Sequence, residues 1–561
     1  MGLLKHLRSK TKIRPYDDQD PLDQPLRSPP SKTATFSRPS PAANPRGRDY
    51  SARLPPQLLE RICSFICPHS VDHSYVASEN SAIGDGCMLC DMRDLARTAQ
   101  VSRRWYKAAQ SLLYTSVRID AVHYCELEAL LSEKRHRKSF RHPSVEGKED
   151  IPGRRLSLFC RTVRESSNLA QQVEILKLPY MTRETSKGEL AATVSVLSSL
   201  KYVDLPEGVF DGDPSCHTLV NELQARCPQI RRMAFRKGAE TYLESLTDRH
   251  WASLEQLELS GVSVEPSLLR IILASLPTLK SLALLQLPWI NDSIFENSPN
   301  LPAFPCLEAL AIEDCPNITS RGIRIYLSDQ RNRNTLSRLR LRRTGITVSS
   351  LTEFLYDAVR LQYLTLISRV NFADTLPLTT TPLLASISLR VLNFEIMDAD
   401  EHAPNLTKPS AAFYSYLARS LHSNSLPSLQ TLYVRDTGFP DLLLRPPQQQ
   451  QGMNGASAST LAAPLEVYSK GLDEAEWIYT VITQNFPHQH TSRSDPSSNS
   501  PSLFSSGGRP LSAYNASRGL GPQWGGSDSV MVGNGFGGYL AVPRDESPRP
   551  RDEWDGNFSA E

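Results

Sequence analysis

Four residues near the N-terminus carry the spacing of metal ligands. His69 and His73 are separated by three residues, Cys87 and Cys90 by two, and 13 residues lie between the pairs. A tetrahedral zinc takes imidazole and thiolate at such spacings. The His pair, however, precedes the Cys pair, the stretch between them has no structural pattern, and nearby Cys63 and Cys67 read as small apolar residues of a helix. The four are therefore candidates only, and no metal or cofactor is expected. The glycines at 533, 535, 537 and 538 neither follow a strand nor open a helix, so no phosphate cradle is expected there. No Ser, His and Asp set and no carboxylate pair stands in a catalytic context, so the chain is not expected to be an enzyme. What remains is the chemistry of binding. Arg338, Arg340 and Arg342 alternate along one short segment, with Arg232 and Arg236 on another. Tyr202, Tyr363 and Tyr433 fall at related places in the chain. Arginine captures carboxylate or phosphate through paired donors, and tyrosine anchors interfaces.

The elements that must position these side chains announce themselves by repetition. An apolar residue, two others, an apolar residue, one other and a third apolar residue recur ten times, beginning at Val173, Leu200, Ile230, Leu254, Leu279, Leu307, Leu336, Leu361, Leu389 and Leu429. Neighbouring starts lie 24 to 30 residues apart until a last gap of 40. In the copy at Leu254 the alternation of Leu257 and Leu259 is strand-like, and Leu268, Leu269, Ile272, Leu273 and Leu276 follow at helical spacing. Each copy is thus one strand and one helix, too small to bury its own apolar face and stable only between neighbours. The copies at Val173 and Leu200 have weakly patterned helices.

The ten copies resemble a leucine-rich-repeat solenoid, and Asp314-Cys315-Pro316-Asn317-Ile318 resembles the turn of its cysteine-containing type. The resemblance implies a horseshoe whose concave face carries the residues between the buried ones. Arg232, Arg236, Arg338, Arg340, Arg342, Tyr202, Tyr363 and Tyr433 then become the expected substrate-binding set, facing an acidic or phosphorylated protein segment.

A second motif precedes the repeats. From Leu54-Pro55-Pro56, the residues Leu58, Leu59, Ile62, Phe65 and Ile66 fall on one helical stripe, with proline in the first turn where no amide donor is needed. Asp94 to Tyr106, including Val101-Ser102-Arg103-Arg104-Trp105, and then Leu112-Leu113-Tyr114 continue the helical pattern. Residues 54 to about 119 resemble an F-box, with Gln57 where the family often has Glu, Ser102 where it often has Cys, and an insertion at about 68–92 expected to loop out from the helices. Three short helices bury too little apolar area to stand alone. The resemblance implies docking of Leu54, Pro55, Leu58, Ile62 and Trp105 on the Skp adaptor of a cullin-RING ubiquitin ligase, with the repeats holding a protein substrate. The alternative is a leucine-rich-repeat interaction scaffold with no ligase.

Composition is compatible with either. The chain has 561 residues and a net charge of +2, so nothing calls for nucleic acid. Its 10 cysteines end at Cys315 without the dense spacing of a secreted scaffold, and no apolar run approaches a membrane span. Met1 to Arg8 read as a basic tail, and a cytoplasmic or nuclear location is expected; Lys134-Arg135-His136-Arg137-Lys138 is a basic cluster in a polar connector. The expected organisation is a disordered tail over 1–50, the F-box over 51–119, a helical and polar connector over 120–172, the repeats over 173–444, a low-complexity loop with a capping helix at Leu472 to Ile482 over 445–486, and a disordered tail over 487–561.

Overall fold

The computed structural model describes residues 53–81, 88–119, 150–371, 376, 381–399, 408–444, 463–471, 476–482, 531–533 and 539–541. The N-terminal tail, the basic cluster at Lys134 and Cys87 lie outside them, as does most of the C-terminal tail. Among the described residues no helix is long and apolar enough to cross a membrane. The chain is mixed α/β.

Three helices come first: α1 (Pro56–Ile66), α2 (Met88–Ala99) and α3 (Arg103–Thr115). Pro56 opens α1, and Ser102 caps α3 by accepting from the amide of Trp105. The expected single stripe of α1 is in fact two. Leu59, Cys63 and Cys67 are buried, whereas Leu58, Ile62 and Phe65 are exposed. Seven apolar or sulfur-bearing side chains cannot all face the two short neighbours, so the helix turns one row inward and leaves the other in solvent.

The rest is built on parallel strands: β1 (Ser116–Arg118), β2 (Ile175–Lys177) and β3 (Tyr202–Val203) in one sheet, then β4 (Arg232–Arg236), β5 (Gln256–Ser260), β6 (Ser281–Leu285), β7 (Ala309–Glu313), β8 (Arg338–Arg342), β9 (Tyr363–Val370), β10 (Val391–Asp398), β11 (Thr431–Val434) and β12 (Leu465–Ser469), with β13 (Ile478–Ile482) antiparallel at the far edge. Strand order follows chain order, and the amide of Arg231 bridges the two sheets by donating to Lys201 O at 2.8 Å. Each of the ten repeat starts is buried and lies two residues before a strand, from Val173 before β2 to Leu429 before β11. The weakly patterned copies at Val173 and Leu200 are therefore strands as well.

Two local devices recur. The residue preceding each strand donates its amide to its counterpart one strand earlier, as in Glu255 to Arg231, Lys280 to Glu255, Glu308 to Lys280 and Ser337 to Glu308. At the other end, Gly261, Gln286, Asp314 and Arg343 directly follow β5 to β8 with left-handed backbone, φ 65°, 54°, 54° and 48°; the first three donate to the last carbonyl of the next strand, and Arg343 donates to Ile367 O within β9. Only glycine adopts this conformation without steric cost. The other three tolerate it because the register supplies the hydrogen bond.

Apolar strand residues such as Leu257, Leu282, Leu310, Leu339 and Leu364 are buried in one continuous core with helix residues Leu269, Ile272, Ile323 and Tyr326. The helix expected at Leu472 to Ile482 is not formed at Ile478–Ile482, where the run Ile-Tyr-Thr-Val-Ile is a strand beside β12. β-Branched and aromatic residues lose rotamer freedom in a helix and suit a pleated surface, and this preference outweighs the helical spacing of Trp477, Ile478 and Val481. Strands β12 and β13 thus carry the sheet past residue 444, and β1 starts it before residue 173. Separately, Met531–Gly533 and Tyr539–Ala541 form a short antiparallel pair.

Candidate functional site

Two surfaces gather the residues singled out above. The first is the outer side of α1. Leu58, Ile62 and Phe65 lie at successive turns, 46%, 41% and 75% exposed, and Pro55 is exposed as well. Val101 and Tyr106, at the start of α3, are exposed too. Leu54 and Trp105 are only partly exposed, so Trp105 belongs as much to the helix packing as to the surface. Phe65, Val101 and Tyr106 were not among the expected docking residues. The signal for Phe65 was present in its i, i+3 and i+7 relation to Ile62 and Leu58.

The second surface is the sheet face opposite the leucine core. Its middle row runs Ala234, Glu258, Ala283, Ala311, Arg340, Thr365, Asn393, Tyr433 and Tyr468 in register. The expected arginines are on it, but most are engaged. Arg340 Nε lies 2.9 Å from Glu313 Oε1 and Arg342 Nη1 lies 3.4 Å from Glu313 Oε2. Arg338 stacks on the ring of Tyr363, 5.5 Å from its centroid. Arg232 reaches both Glu258, at 3.4 Å, and the carbonyl of Tyr75, while Arg236 pairs with Glu207. Glu258, Glu313 and Glu395 are buried on this face, a feature sequence inspection passed over. Burial raises the carboxyl pKa of Glu258 against the opposing pull of Arg232 and Arg236. On β7 and β8, Arg340 and Arg342 share Glu313.

The tyrosines divide. Tyr202 is buried and donates to Asp204 Oδ1 at 2.6 Å, a poor anchor for an external ligand. Tyr433 stacks on Tyr468 at 4.8 Å with Trp477 edge-on at 5.3 Å, forming an aromatic end to the face. A cavity of about 730 Å³ opens over β3 to β8, between Tyr75 and Arg232 on one side and Lys280 and Arg338 on the other.

The metal candidates do not assemble among the described residues. His69 is buried, His73 is exposed, and Cys87 lies outside them. Cys63 and Cys67 are buried, and burial raises both thiol pKa values. The insertion does not loop out as expected. Residues 69–81 lie against β1 to β4, and Met88–Met92 form the first turns of α2, because Asp72, Tyr75 and Ser78 all find partners on the sheet. No family model matches the chain, and no curated protein matches it.

Proposed function

We propose that this chain is the substrate-recognition subunit of a Skp-cullin-F-box ubiquitin ligase, with α1 to α3 as the F-box and the strands with their helices as a leucine-rich-repeat solenoid. The observation that carries the reading is the exposed row Leu58, Ile62 and Phe65 on a helix opened by Leu54-Pro55-Pro56. Apolar side chains on a regular row of so small a module are stabilised by a partner protein, and the Skp adaptor is that partner in the family the motif resembles. The sheet face supports a binding role. Its Arg338, Arg340 and Arg342 form a ladder of guanidinium groups along β8, which suits an acidic or phosphorylated segment of a protein substrate. Ubiquitin transfer is then accelerated by holding substrate lysines near the conjugating enzyme, with no catalytic group in this chain.

The test is capture of the purified full-length chain by a Skp adaptor. Wild type is expected to bind, and Leu58→Asp with Ile62→Asp to lose binding at unchanged melting temperature. A well-folded wild type that ignores the adaptor would overturn the ligase reading.

A further inference from the structure

The segment between α1 and α2 interrupts the F-box resemblance, and its contacts give it a role of its own. Pro68–Val71 form a short 3₁₀ turn with His69 and Ser70 buried. Beyond it the chain crosses four strands in succession. At β1, Ser116 Oγ donates to Asp72 O at 2.8 Å. At β2, Lys177 Nζ donates to Asp72 Oδ2 at 2.6 Å and to Ser74 Oγ at 3.1 Å. At β3, the ring of Tyr75 lies 6.0 Å from that of Tyr202. At β4, Arg232 donates to Tyr75 O. The path then returns. The amide of Ser78 donates to Asp204 Oδ2 at 3.0 Å, Arg118 donates to Ser78 O at 2.9 Å and Ser81 O at 2.6 Å, and Arg183 meets Glu79 at 3.1 Å.

These are the contacts by which a sheet face would hold an extended peptide: a carboxylate on a buried cation, carbonyls on arginines, an amide on a carboxylate and a ring on a ring. The central pair is closed to water, with side-chain exposure of 1% for Lys177 and 8% for Asp72. Removing one partner of such a pair strands a buried charge, so an incoming ligand cannot displace the segment by exchanging surface contacts. Asp204 is likewise buried and receives both Ser78 N–H and, at 2.9 Å, Leu178 N–H.

We infer that residues 69–81 are a permanent internal ligand of the sheet, a strap that covers the face over β1 to β3 and reaches Arg232 at the edge of β4, locks the helical module to the first strands, and forms the fixed wall at which the surface open to substrate begins. Substrate is confined to the face from β4 onward, toward Arg338, Arg340 and Arg342, with Tyr75 as the boundary of the adjoining cavity. In a ligase receptor this fixes the distance between adaptor face and substrate face; that functional consequence rests on the reading proposed above, while the strap itself does not.

Hydrogen–deuterium exchange of the full-length chain, followed by mass spectrometry, tests it. In peptides covering 72–80 the hydrogen-bonded amides of Asp72, Ser74, Ser78 and Asn80 are expected to exchange far more slowly than in an unstructured chain. Ser78→Pro, which removes the amide donor to Asp204 together with the Ser78 hydroxyl, and Asp72→Ala are each expected to speed exchange over 72–80 at least tenfold while β7 to β9 keep wild-type protection. If Asp72→Ala fails to fold, Asp72→Leu with Lys177→Met removes both buried charges and is expected to restore a folded chain. Wild-type exchange over 72–80 at the rate of an unstructured chain, or no response to Ser78→Pro, would overturn the strap. Skp adaptor capture by the same samples is scored separately, so loss of the ligase reading leaves the strap standing and the reverse.

Discussion

The helical module and the sheet dispose of their side chains in opposite ways. On α1 an apolar row, Leu58, Ile62 and Phe65, is left in solvent although a second row, Leu59 and Cys63, is buried alongside it. On the sheet the large aliphatic residues are mostly turned to the helix side, a small cluster of Ala283, Leu285 and Ala311 lies apart from that core, and the open face holds its arginines against carboxylates, Arg232 with Glu258, Arg236 with Glu207, Arg340 and Arg342 with Glu313. An unpaired apolar row is expensive in water and suits a surface that stays covered by one partner. A charge-paired face is stable while bare and suits a surface that is filled and emptied. The difference assigns the two faces to lasting and to reversible contacts.

The sharpest way to break this contrast is to place the same charge on each row of α1. Leu59→Asp buries a carboxylate in place of a core side chain and should destabilise the chain by about 4 kcal/mol or more, seen as a lowered melting temperature. Leu58→Asp, one residue away, should leave the melt unchanged and weaken adaptor capture at least 100-fold. Equal melting of the two variants would mean that the rows are not distinct.

Next in size is the strap. Lys177→Met leaves Asp72 buried without its cation and should cost about 3 to 5 kcal/mol, whereas Lys177→Met with Asp72→Leu should recover most of it. Denaturant titration of both variants measures the difference. Recovery failing altogether would show that Asp72 matters for its bonds to Ser74 and not for its charge.

The open face should respond more mildly, and its arginines are not interchangeable. Arg338 leans on Tyr363, so Arg338→Glu should lower stability by less than about 1 kcal/mol, the ordinary range for an exposed or half-exposed change. Arg340→Glu faces buried Glu313 with a second carboxylate and should cost about 2 kcal/mol or more. Reversal of all three arginines therefore tests two things at once. Substitution by Gln at 338, 340 and 342 separates loss of substrate capture from loss of the fold.

Much of this was legible before any coordinate. The ten repeat starts are a packing signal, since an aliphatic residue two residues before each of β2 to β11 must be buried for adjacent units to stack, and all ten are. The alternation through Arg338, Arg340 and Arg342 put those residues on one face for the same reason. What could not be read was long range. Asp72 meets Lys177 across 105 residues and Ser78 meets Asp204 across 126, and nothing in the local pattern of residues 68–92 distinguishes a strap from a loop. Counter-charges such as Glu313 sit one strand away from the arginines they hold, some 29 residues back, so pairing is visible only in register. At Ile478–Ile482 the spacing suited a helix and a strand alike, and the neighbouring edge of β12 decided.

The smallest effect is one of pH, and it also falls on the strap. Burial alone would raise the Asp72 carboxyl pKa, but hydrogen bonds from Lys177 and Ser74 and the lysine's charge more than offset it, leaving the net value below the usual aspartate range. Desolvation lowers the Lys177 pKa, against the opposing pull of Asp72, so the lysine too lies below its ordinary value. For the carboxylate, a depressed folded pKa means stability that is fully present above the unfolded pKa and lost as pH falls through the folded one. The strap should hence keep its protection through the neutral range and loosen only below about pH 4, before the open face does, because the exposed pairs there contribute little to be lost. Limited proteolysis between 72 and 80 along a descending pH series, using an acid-active protease, reads this directly. Cleavage there that already sets in near pH 6 would show that Asp72 is not the controlling group.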